Sequence, residues 1–183
     1  AELAQDIVQP GSNVYDLGCS TGTTLLMLDR TLPMDVNFVG VDDSHEMLVK
    51  CESKLREHQV KRKVELQCTD LHLGVDMKDA SLALMVLTLQ FLRPLHRERL
   101  IADVFKGLRE NGGLILVEKV LGEDSHFNRL FIKHYYDFKR RNGYSETEIA
   151  QKREALENVL IPYKLLENSE LLLACSPLLD DVI

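Results

Sequence analysis

The sequence lacks the features that mark several common classes of protein. No apolar run approaches the roughly 20 residues that a membrane-spanning helix requires, so we expect no membrane partner. The segment from Ala1 to Ile7 carries acidic residues and no basic ones, which is not the pattern of a signal peptide. The four cysteines include no CxxC pair: Cys19, Cys51, Cys68 and Cys175. We therefore expect reduced thiols in a cytoplasmic protein, without a disulfide framework or a zinc site.

Basic residues are also in the minority. The 22 Lys and Arg residues stand against 29 Asp and Glu residues, which gives a net charge of -7. Proteins that bind nucleic acids usually spread positive charge over one face, because contacts to phosphates supply most of the affinity. The charge therefore favours a small-molecule partner and no direct contact with nucleic acid. The length of 183 residues predicts a single domain, 1–183, that is large enough to bury a core.

No arrangement of residues indicates a catalytic triad or a metal site. We expect no metal, because the histidines have no spacing typical of metal ligands: His45, His58, His72, His96, His126 and His134. His134 falls on an apolar helical face with Phe127, Leu130, Phe131 and Phe138. We therefore expect it to be a packed structural histidine.

The sequence does contain an alternation of strand and helix patterns. Apolar segments typical of strands lie at residues 13–17, 37–42, 64–68, 82–89 and 114–117, and residues at helical spacing separate most of them. The fourth segment is almost continuously apolar, as expected of a strand that is buried on both faces of a parallel sheet. The alternation predicts an α/β fold, a mostly parallel sheet with helices on both faces.

The final third of the sequence has a helical pattern. One helix is predicted over 125–141 and a second over 146–160, with a capping box between Ser145 and Glu148 at the start of the second. One more helix is predicted in the tail. We interpret residues 124–160 as a helical insertion in the domain.

A glycine-rich turn, Asp16-Leu17-Gly18-Cys19-Ser20-Thr21-Gly22, follows the first strand. Glycines let the backbone approach a ligand closely, and amides at the start of the next helix can bind polar ligand atoms. A tight turn without a ligand is an equally good interpretation of this segment alone. Asp42 ends the second strand, where an acid that binds ribose hydroxyls is expected, and Asp70 ends the third. Each acid alone is more often a loop carboxylate, but three at successive strand ends indicate a ligand site.

The glycine pattern departs from the dinucleotide form GxGxxG, because Ser20 replaces the second glycine. It resembles the turn of class I S-adenosylmethionine-dependent methyltransferases, in which the methionine part of the cofactor replaces the pyrophosphate. The resemblance implies a Rossmann-like class I methyltransferase fold. The bound species would be S-adenosylmethionine, its carboxylated form or S-adenosylhomocysteine, with Asp70 near the adenine amino group. The cofactor-binding residues that it implies are Asp16, Gly18, Cys19, Ser20, Gly22, Asp42, Asp43, Asp70, Leu71 and Val86.

The second half of the chain carries a further set of motifs. They are Thr88-Leu89-Gln90-Phe91-Leu92, Gly107-Leu108, Gly112-Gly113, Glu118-Lys119, Asp137-Phe138-Lys139-Arg140, Asn142-Gly143-Tyr144-Ser145-Glu146, Gln151-Lys152-Arg153 and Leu156-Glu157-Asn158-Val159. Together they resemble the carboxy-S-adenosylmethionine synthase family. Two features depart from that family's pattern. Val86 replaces an asparagine that contacts the cofactor, and the chain is shorter at both ends, without a segment that supplies a cofactor-contacting tyrosine and without a closing strand pair.

The resemblance implies a reaction of S-adenosylmethionine with prephenate, which gives carboxy-S-adenosylmethionine and phenylpyruvate. The sulfonium methyl group loses a proton, and the resulting ylide captures the carbon dioxide that prephenate releases. The product would then serve a separate enzyme that modifies wobble uridine in tRNA. The resemblance also implies a homodimer. No metal or protein nucleophile is needed for transfer from a sulfonium, because positioning supplies much of the rate.

Arg153 is the residue that we expect to bind a carboxylate. It lies four residues after Ile149 and three before Leu156, on the same apolar stripe of the predicted helix. A guanidinium held against a core face is costly unless an anion meets it, ideally a bidentate carboxylate. In the family, the matching arginine binds the extra carboxylate of the ligand. A structural pair with a glutamate, or a side chain that extends into solvent, is the alternative interpretation.

Two other functions remain open. One is a methyltransferase that acts on another acidic metabolite, with Arg153 holding the carboxylate; the other is a non-catalytic cofactor-binding module. The basic run 139–141 lies in the last turn of a helix, where cations offset the helix dipole, so a solvated helix end is favoured over contact with tRNA. Tyr135 and Tyr136 could line a substrate cavity, but core or dimer packing is favoured.

Overall fold

The computed structural model describes residues 1–176, so the last seven residues of the predicted domain 1–183 lie outside the described residues. In this range the strands are β1 (Asn13–Leu17), β2 (Asn37–Asp42), β3 (Val64–Cys68), β4 (Ala80–Val86) and β5 (Leu108–Val117). The α-helices are α1 (Glu2–Ile7), α2 (Thr23–Asp29), α3 (His45–Glu57), α4 (Pro94–Gly107), α5 (Ser125–Arg141), α6 (Glu146–Leu156) and α7 (Leu165–Cys175). Two short 3-10 helices cover Leu71–Leu73 and Leu89–Phe91.

The five strands form one parallel sheet in the order β3-β2-β1-β4-β5, which confirms the predicted fold class. The order reverses between β1 and β4, and ligands of such sheets bind at this reversal, beyond the carboxyl ends of the strands. The register places Leu17 opposite Val41 and Asp42 opposite Cys68. The segments that follow β1, β2 and β3 therefore leave the sheet at one level.

Buried side chains cover both faces of the sheet. On one face, Phe38 and Leu82 pack in a cluster with residues of α2 and α3. On the other face, Val41 and Met85 pack in a cluster with residues of α4 and α7. The two faces together explain why β4, whose first six residues are all buried, is apolar at almost every position.

The first three predicted strands agree with the structure, whereas the last two differ from it in their bounds. The first three have the predicted bounds, but β4 ends at Val86, three residues before the end of the predicted segment. Leu87 has a positive φ of 59°, which lies outside the extended region that regular strand residues occupy. The last strand begins at Leu108, directly after α4, and its register to β4 shifts before Gly113.

The helical segment has the predicted helices, with one different boundary and one different environment. The bounds of α5 and the capping box of Ser145 and Glu148 are confirmed, whereas α6 ends at Leu156 and not at residue 160. No residue of α5 is buried within the described structure. The expectation that His134 is packed is therefore wrong, because no described element covers that face. Over residues 1–176, no helix combines the length and apolar character needed to cross a bilayer.

Candidate functional site

The glycine-rich turn lies between β1 and α2. Three of its residues have positive φ angles: Gly18 (83°), Ser20 (47°) and Gly22 (73°). The amides of Gly18 and Cys19 both donate to the carbonyl oxygen of Val41, with N···O distances of 2.7 and 3.0 Å. The chain itself therefore ties the turn to the end of β2.

The glycines of this turn are required by contacts within the protein. A Cβ atom at Gly18 would lie 2.4 Å from Oγ1 of Thr88, and one at Gly22 would lie 2.5 Å from Sγ of Cys51. The sequence had suggested that a side chain here would collide with a ligand. The structure adds a reason within the protein, because the excluding atoms belong to the segment after β4 and to α3, which pack directly against the turn.

Asp42 joins the turn to the loop that follows β2. Its Oδ2 accepts a hydrogen bond from the amide of Ser20 at 2.9 Å, and its Oδ1 accepts one from the amide of Ser44 at 3.0 Å. The carbonyl oxygen of Asp42 accepts a hydrogen bond from the amide of Thr69, which precedes Asp70. Each carboxylate oxygen still has a lone pair for a ligand hydroxyl group. The structure thus brings together the glycine turn, Asp42 and the end of β3.

Asp16 is the most buried of the predicted site residues that carry a charge. It lies inside β1, paired with Gly40 of β2 and Leu84 of β4, and only 1% of its surface is exposed. Its Oδ2 is buried and has no hydrogen-bond partner among the described residues. Burial, and then the neighbouring Asp42 carboxylate, raise the pKa of Asp16 to about 7. A carboxyl group in this state is suited to a donor or a cation that a ligand brings.

The remaining predicted residues on this side of the site differ in accessibility. Oδ1 of Asp70 lies 2.9 Å from both the amide and Nδ1 of His72. These hydrogen bonds, that of the amide first, hold the pKa of Asp70 below its usual value. The side chains of Leu71 and Cys19 are buried, whereas Asp43 is exposed. Only the backbone of Leu71 and Cys19 is therefore available to a ligand at this edge.

The carboxyl ends of β4 and β5 are apolar and partly open to solvent. Val86, Leu87 and Val117 have 36%, 47% and 46% of their surfaces exposed. These side chains present a hydrophobic rim beside the turn. Val86 therefore adds a nonpolar contact surface to the site and no hydrogen bond.

Arg153 lies on α6, and its side chain is exposed. The expectation of a guanidinium held against the core is wrong, because α6 turns only Ile149 fully inward and ends at Leu156. Within residues 1–176, the side chain of Arg153 has neither a hydrogen bond nor an ion pair. The alternative of a structural pair with a glutamate is therefore not what the described structure contains.

The sequence patterns assigned no role to Glu118. Its position directly after β5 is similar to that of Asp42 at the end of β2. Its carboxylate accepts hydrogen bonds from the amides of Leu89 and Gln90, in the segment that contacts Gly18. An acid at or just beyond the carboxyl end of a predicted strand was the signal that could have identified it. The same signal had identified Asp42 and Asp70.

Two further features of the molecule bear on the site. A surface cavity of about 610 Å³ lies between α3 and β3, lined in part by Val49, Arg56 and Cys68. Neither the glycine turn nor Asp42 lines this cavity, so its volume does not locate the chemistry. Among residues 1–176, no group of three or more His, Cys, Asp or Glu side chains is placed to hold a metal ion.

Comparison with known proteins decides the family. A family described as "Methyltransferase domain" matches residues 14–112. A carboxy-S-adenosyl-L-methionine synthase from Methylococcus capsulatus is 61% identical over 173 residues, which span 94% of this chain and 72% of that protein. A protein of the same name from Helicobacter pylori is 41% identical over 172 residues, which span 94% of this chain and 70% of that protein. The chain belongs to the carboxy-S-adenosyl-L-methionine synthase family.

This family lies in the class I methyltransferase superfamily, and the chain is an S-adenosylmethionine-dependent transferase. Solved structures agree on the fold. The cyclopropane synthase MmaA2 from Mycobacterium tuberculosis has a TM-score of 0.68 at 16% identity, over 95% of this chain and 58% of that chain. The YcgJ protein from Bacillus subtilis has a TM-score of 0.64 at 19% identity, over 95% of this chain and 65% of that chain. The family supports an enzyme and not a non-catalytic binding module.

Proposed function

We propose that this member of the synthase family converts S-adenosylmethionine and prephenate to carboxy-S-adenosylmethionine and phenylpyruvate, for later modification of wobble uridine in tRNA. The observation that carries the proposal is the 61% identity, over 94% of the chain, to a protein named for that product. Prephenate loses carbon dioxide and hydroxide, and the proton lost from the sulfonium methyl group converts the hydroxide to water. The acidic net charge of -7 favours an enzyme that does not itself bind the tRNA.

The residues at the carboxyl edge of the sheet fit an S-adenosyl group. Asp42 would accept hydrogen bonds from the ribose hydroxyls, because its oxygens keep free lone pairs at the edge. The buried, unpartnered Oδ2 of Asp16 would face the ammonium group through the turn of Gly18 to Gly22. Asp70, with the exposed Asp43 and the backbone of the neighbouring residues, would surround the adenine. Bound S-adenosylmethionine supplies a sulfonium that makes its methyl hydrogens acidic, and the chain orients this group.

We propose that the helical segment 124–160 is an insertion that supplies the carboxylate contact through Arg153. The free guanidinium supports this role, since the side chain of Arg153 has no hydrogen bond or ion pair within residues 1–176. The segment after α6 also reaches the edge of the sheet, because the amide of Ile161 donates to the carbonyl oxygen of Gln90 at 2.8 Å. Two parallel hydrogen bonds from the guanidinium would fit a planar carboxylate.

The test is to denature the purified protein and to determine the molecular mass of the released nucleoside by mass spectrometry. Turnover with S-adenosylmethionine and prephenate is then assayed. Carboxylated nucleoside and formation of phenylpyruvate are expected. Arg153→Ala should weaken binding of carboxy-S-adenosylmethionine about tenfold or more, because a charge-assisted bidentate contact is lost. Lys152→Ala is the matched control, a neighbouring exposed cation on the same helix. Equal affinities of the two variants would remove the role of Arg153, and no phenylpyruvate from wild type would overturn the reaction.

A methyltransferase acting on another small carboxylate is the second candidate. The match of residues 14–112 to a general methyltransferase domain favours it, because this match covers the proposed cofactor site and excludes Arg153. The same assay separates the two functions. S-adenosylhomocysteine formed together with a methylated acid would support the methyltransferase, and phenylpyruvate formed from prephenate would exclude it.

We also propose that the chain is a cytoplasmic homodimer joined through the apolar face of α5. Phe127, Phe131 and Phe138 each expose more than half of their surfaces, and such aromatic faces are typical of protein interfaces. Tyr135 on the same helix is also exposed. Light scattering of the protein as it elutes from a size-exclusion column should give twice the mass of one chain. The mass of a monomer at micromolar concentration would overturn the proposal.

A further inference from the structure

Glu118 holds a turn of the backbone with both of its carboxylate oxygens. Oε1 accepts a hydrogen bond from the amide of Leu89 at 2.7 Å, and Oε2 accepts one from the amide of Gln90 at 3.1 Å. These amides begin the 3-10 helix Leu89–Phe91, where free N–H groups point away from the helix. A carboxylate accepts at both oxygens, whereas an amide side chain would turn an NH2 group toward one of the two donors.

The turn that Glu118 holds contains backbone strain. Leu87 has a φ of 59°, which is rare for a bulky residue and strains the backbone. The amide of Leu87 donates to the carbonyl oxygen of Val117 at 2.7 Å. The carbonyl oxygen of Leu87 accepts a hydrogen bond from Nε2 of Gln90 at 3.2 Å. Such strain persists only when surrounding contacts hold it, and it is common beside ligand sites.

One side of this turn contacts the glycine turn between β1 and α2. Oγ1 of Thr88 lies 2.4 Å from where a Cβ atom of Gly18 would be. No larger residue at position 18 would let the two turns approach so closely. A displacement of Thr88 would therefore open a gap behind the glycine turn.

The other side of the turn is joined to the segment between α6 and α7. The carbonyl oxygen of Gln90 accepts a hydrogen bond from the amide of Ile161 at 2.8 Å. The guanidinium of Arg97, which is 1% exposed, donates to the carbonyl oxygens of Leu92 and Ile161 and lies over the ring of Tyr163. Arg97 therefore binds both ends of this junction, and the position of α6 depends on the turn.

We propose that Glu118 is a positioning residue, whose carboxylate sets the turn 87–91 and thereby the distance between the glycine turn and α6. The proposal rests on the function proposed above in one respect: there, the glycine turn and α6 hold the two ends of the ligand. Burial raises the pKa of Glu118, while the amides of Leu89 and Gln90 oppose that change. The two backbone amides thus take the place of water as hydrogen-bond donors to the buried carboxylate. Because these donors are fixed, the carboxylate and the turn hold each other in one geometry.

The test compares Glu118→Gln and Glu118→Asp with Glu110→Gln, an exposed glutamate on β5, the strand that Glu118 follows. Amide hydrogen exchange in the whole, ligand-free protein is the first measurement. In Glu118→Gln, exchange of the Leu89 and Gln90 amides should rise about tenfold, the effect of one lost charge-assisted hydrogen bond. Exchange of the Ile161 amide should rise as well, although Glu118 does not touch it. Glu118→Asp should be intermediate, and the control should match wild type.

The second measurement separates positioning from stability. The turnover number of Glu118→Gln should fall about tenfold while the KM for S-adenosylmethionine changes less than about threefold, because the ribose contact at Asp42 is untouched. Unchanged exchange at Ile161 would overturn the inference. So would a parallel loss of turnover, cofactor affinity and melting temperature in both variants, which is the signature of a structural role. A wild-type protein that forms no phenylpyruvate would defeat the proposed reaction, and the exchange data would still decide the role of Glu118.

Discussion

The carboxyl edge of the sheet and the helical segment 124–160 differ in how completely their own chain packs them. At the edge, both oxygens of Asp42 accept backbone hydrogen bonds, and Gly18 and Gly22 lie against neighbouring side chains. In the helical segment, α5 has no buried residue and α6 has one, Ile149. The chain therefore forms the carboxyl edge, the proposed nucleoside end of the site, by itself, whereas the segment with Arg153 lies largely open.

This difference explains which substitutions should be costly. At the edge, a change removes packing or hydrogen bonds that already exist in the folded chain. On α5, a change removes exposed surface and should act mainly on assembly with another molecule. Four substitutions test this comparison, in order of decreasing effect on folding or binding.

The largest effect is expected from the ionisation of Asp16. The folded chain keeps this proton up to about pH 7, whereas an unfolded chain releases it near 3.8, so the stability due to the protonated carboxyl is present below about pH 4 and is lost as pH rises through 7. The loss amounts to about 4 kcal/mol in the ligand-free protein. Asp16→Asn cannot ionise, so its free energy of unfolding in urea should increase relative to wild type over this range. Asp35→Asn, an exposed control, should follow wild type, and a constant difference between Asp16→Asn and wild type would contradict the raised pKa.

Gly18→Ala should have the next largest effect. The new Cβ atom would overlap Thr88, and the positive φ adds strain, so we expect a loss of about 3 kcal/mol in the free energy of unfolding. Gly11→Ala is a matched control, because Gly11 also has a positive φ but no atom within 4 Å of the new Cβ. The control should lose only about 1 kcal/mol. Equal losses in the two variants would show that contact with Thr88 is unimportant.

Asp42→Asn should weaken binding of S-adenosylmethionine by about ten- to hundredfold, because hydrogen bonds to a charged carboxylate are worth roughly 1.5–3 kcal/mol. Isothermal titration calorimetry measures this loss directly. Asp35→Asn, just before the opposite end of β2, should bind as wild type does. A change below twofold in Asp42→Asn would remove the ribose contact from the proposed site.

Phe131→Ala should have the smallest effect on folding. The side chain is 54% exposed, so its truncation should cost less than about 0.5 kcal/mol in monomeric protein. The same substitution at the fully buried Phe38 should cost about 4 kcal/mol. Urea unfolding at low protein concentration measures both. Similar losses at the two positions would mean that the face of α5 is covered within one chain.

Much of the fold could be predicted from local patterns. The first three strands are short apolar runs bounded by turn residues, and the capping box of Ser145 and Glu148 is a local signal that needs no tertiary contact. The end of β4 was not predictable in this way, because the sequence remains apolar beyond Val86 while the chain turns at Leu87. That turn is stabilised by Glu118, which lies 31 residues later than Leu87 in the sequence.

The candidate site, like the fold, could be predicted only in part. Asp42 and the glycine turn follow from strand-end positions, and the register of the sheet brings them together. The apolar stripe of α6 predicted a buried Arg153, but periodicity reports which residues share a face and not what covers it. His134 on α5 was misplaced for the same reason. The contact of Gly18 with Thr88 needed the register of β1 against β4, which no local pattern contains.

The unpartnered oxygen of Asp16 has a consequence for how a cationic ligand enters. At neutral pH the carboxyl is protonated about half the time, and an ammonium group that arrives beside it lowers its pKa and expels the proton. In the proposed cofactor site, the proton of Asp16 would thus leave as the ammonium group binds, and the local charge would be conserved. Calorimetric heats measured in buffers of different ionisation enthalpy would then differ by the released fraction of a proton.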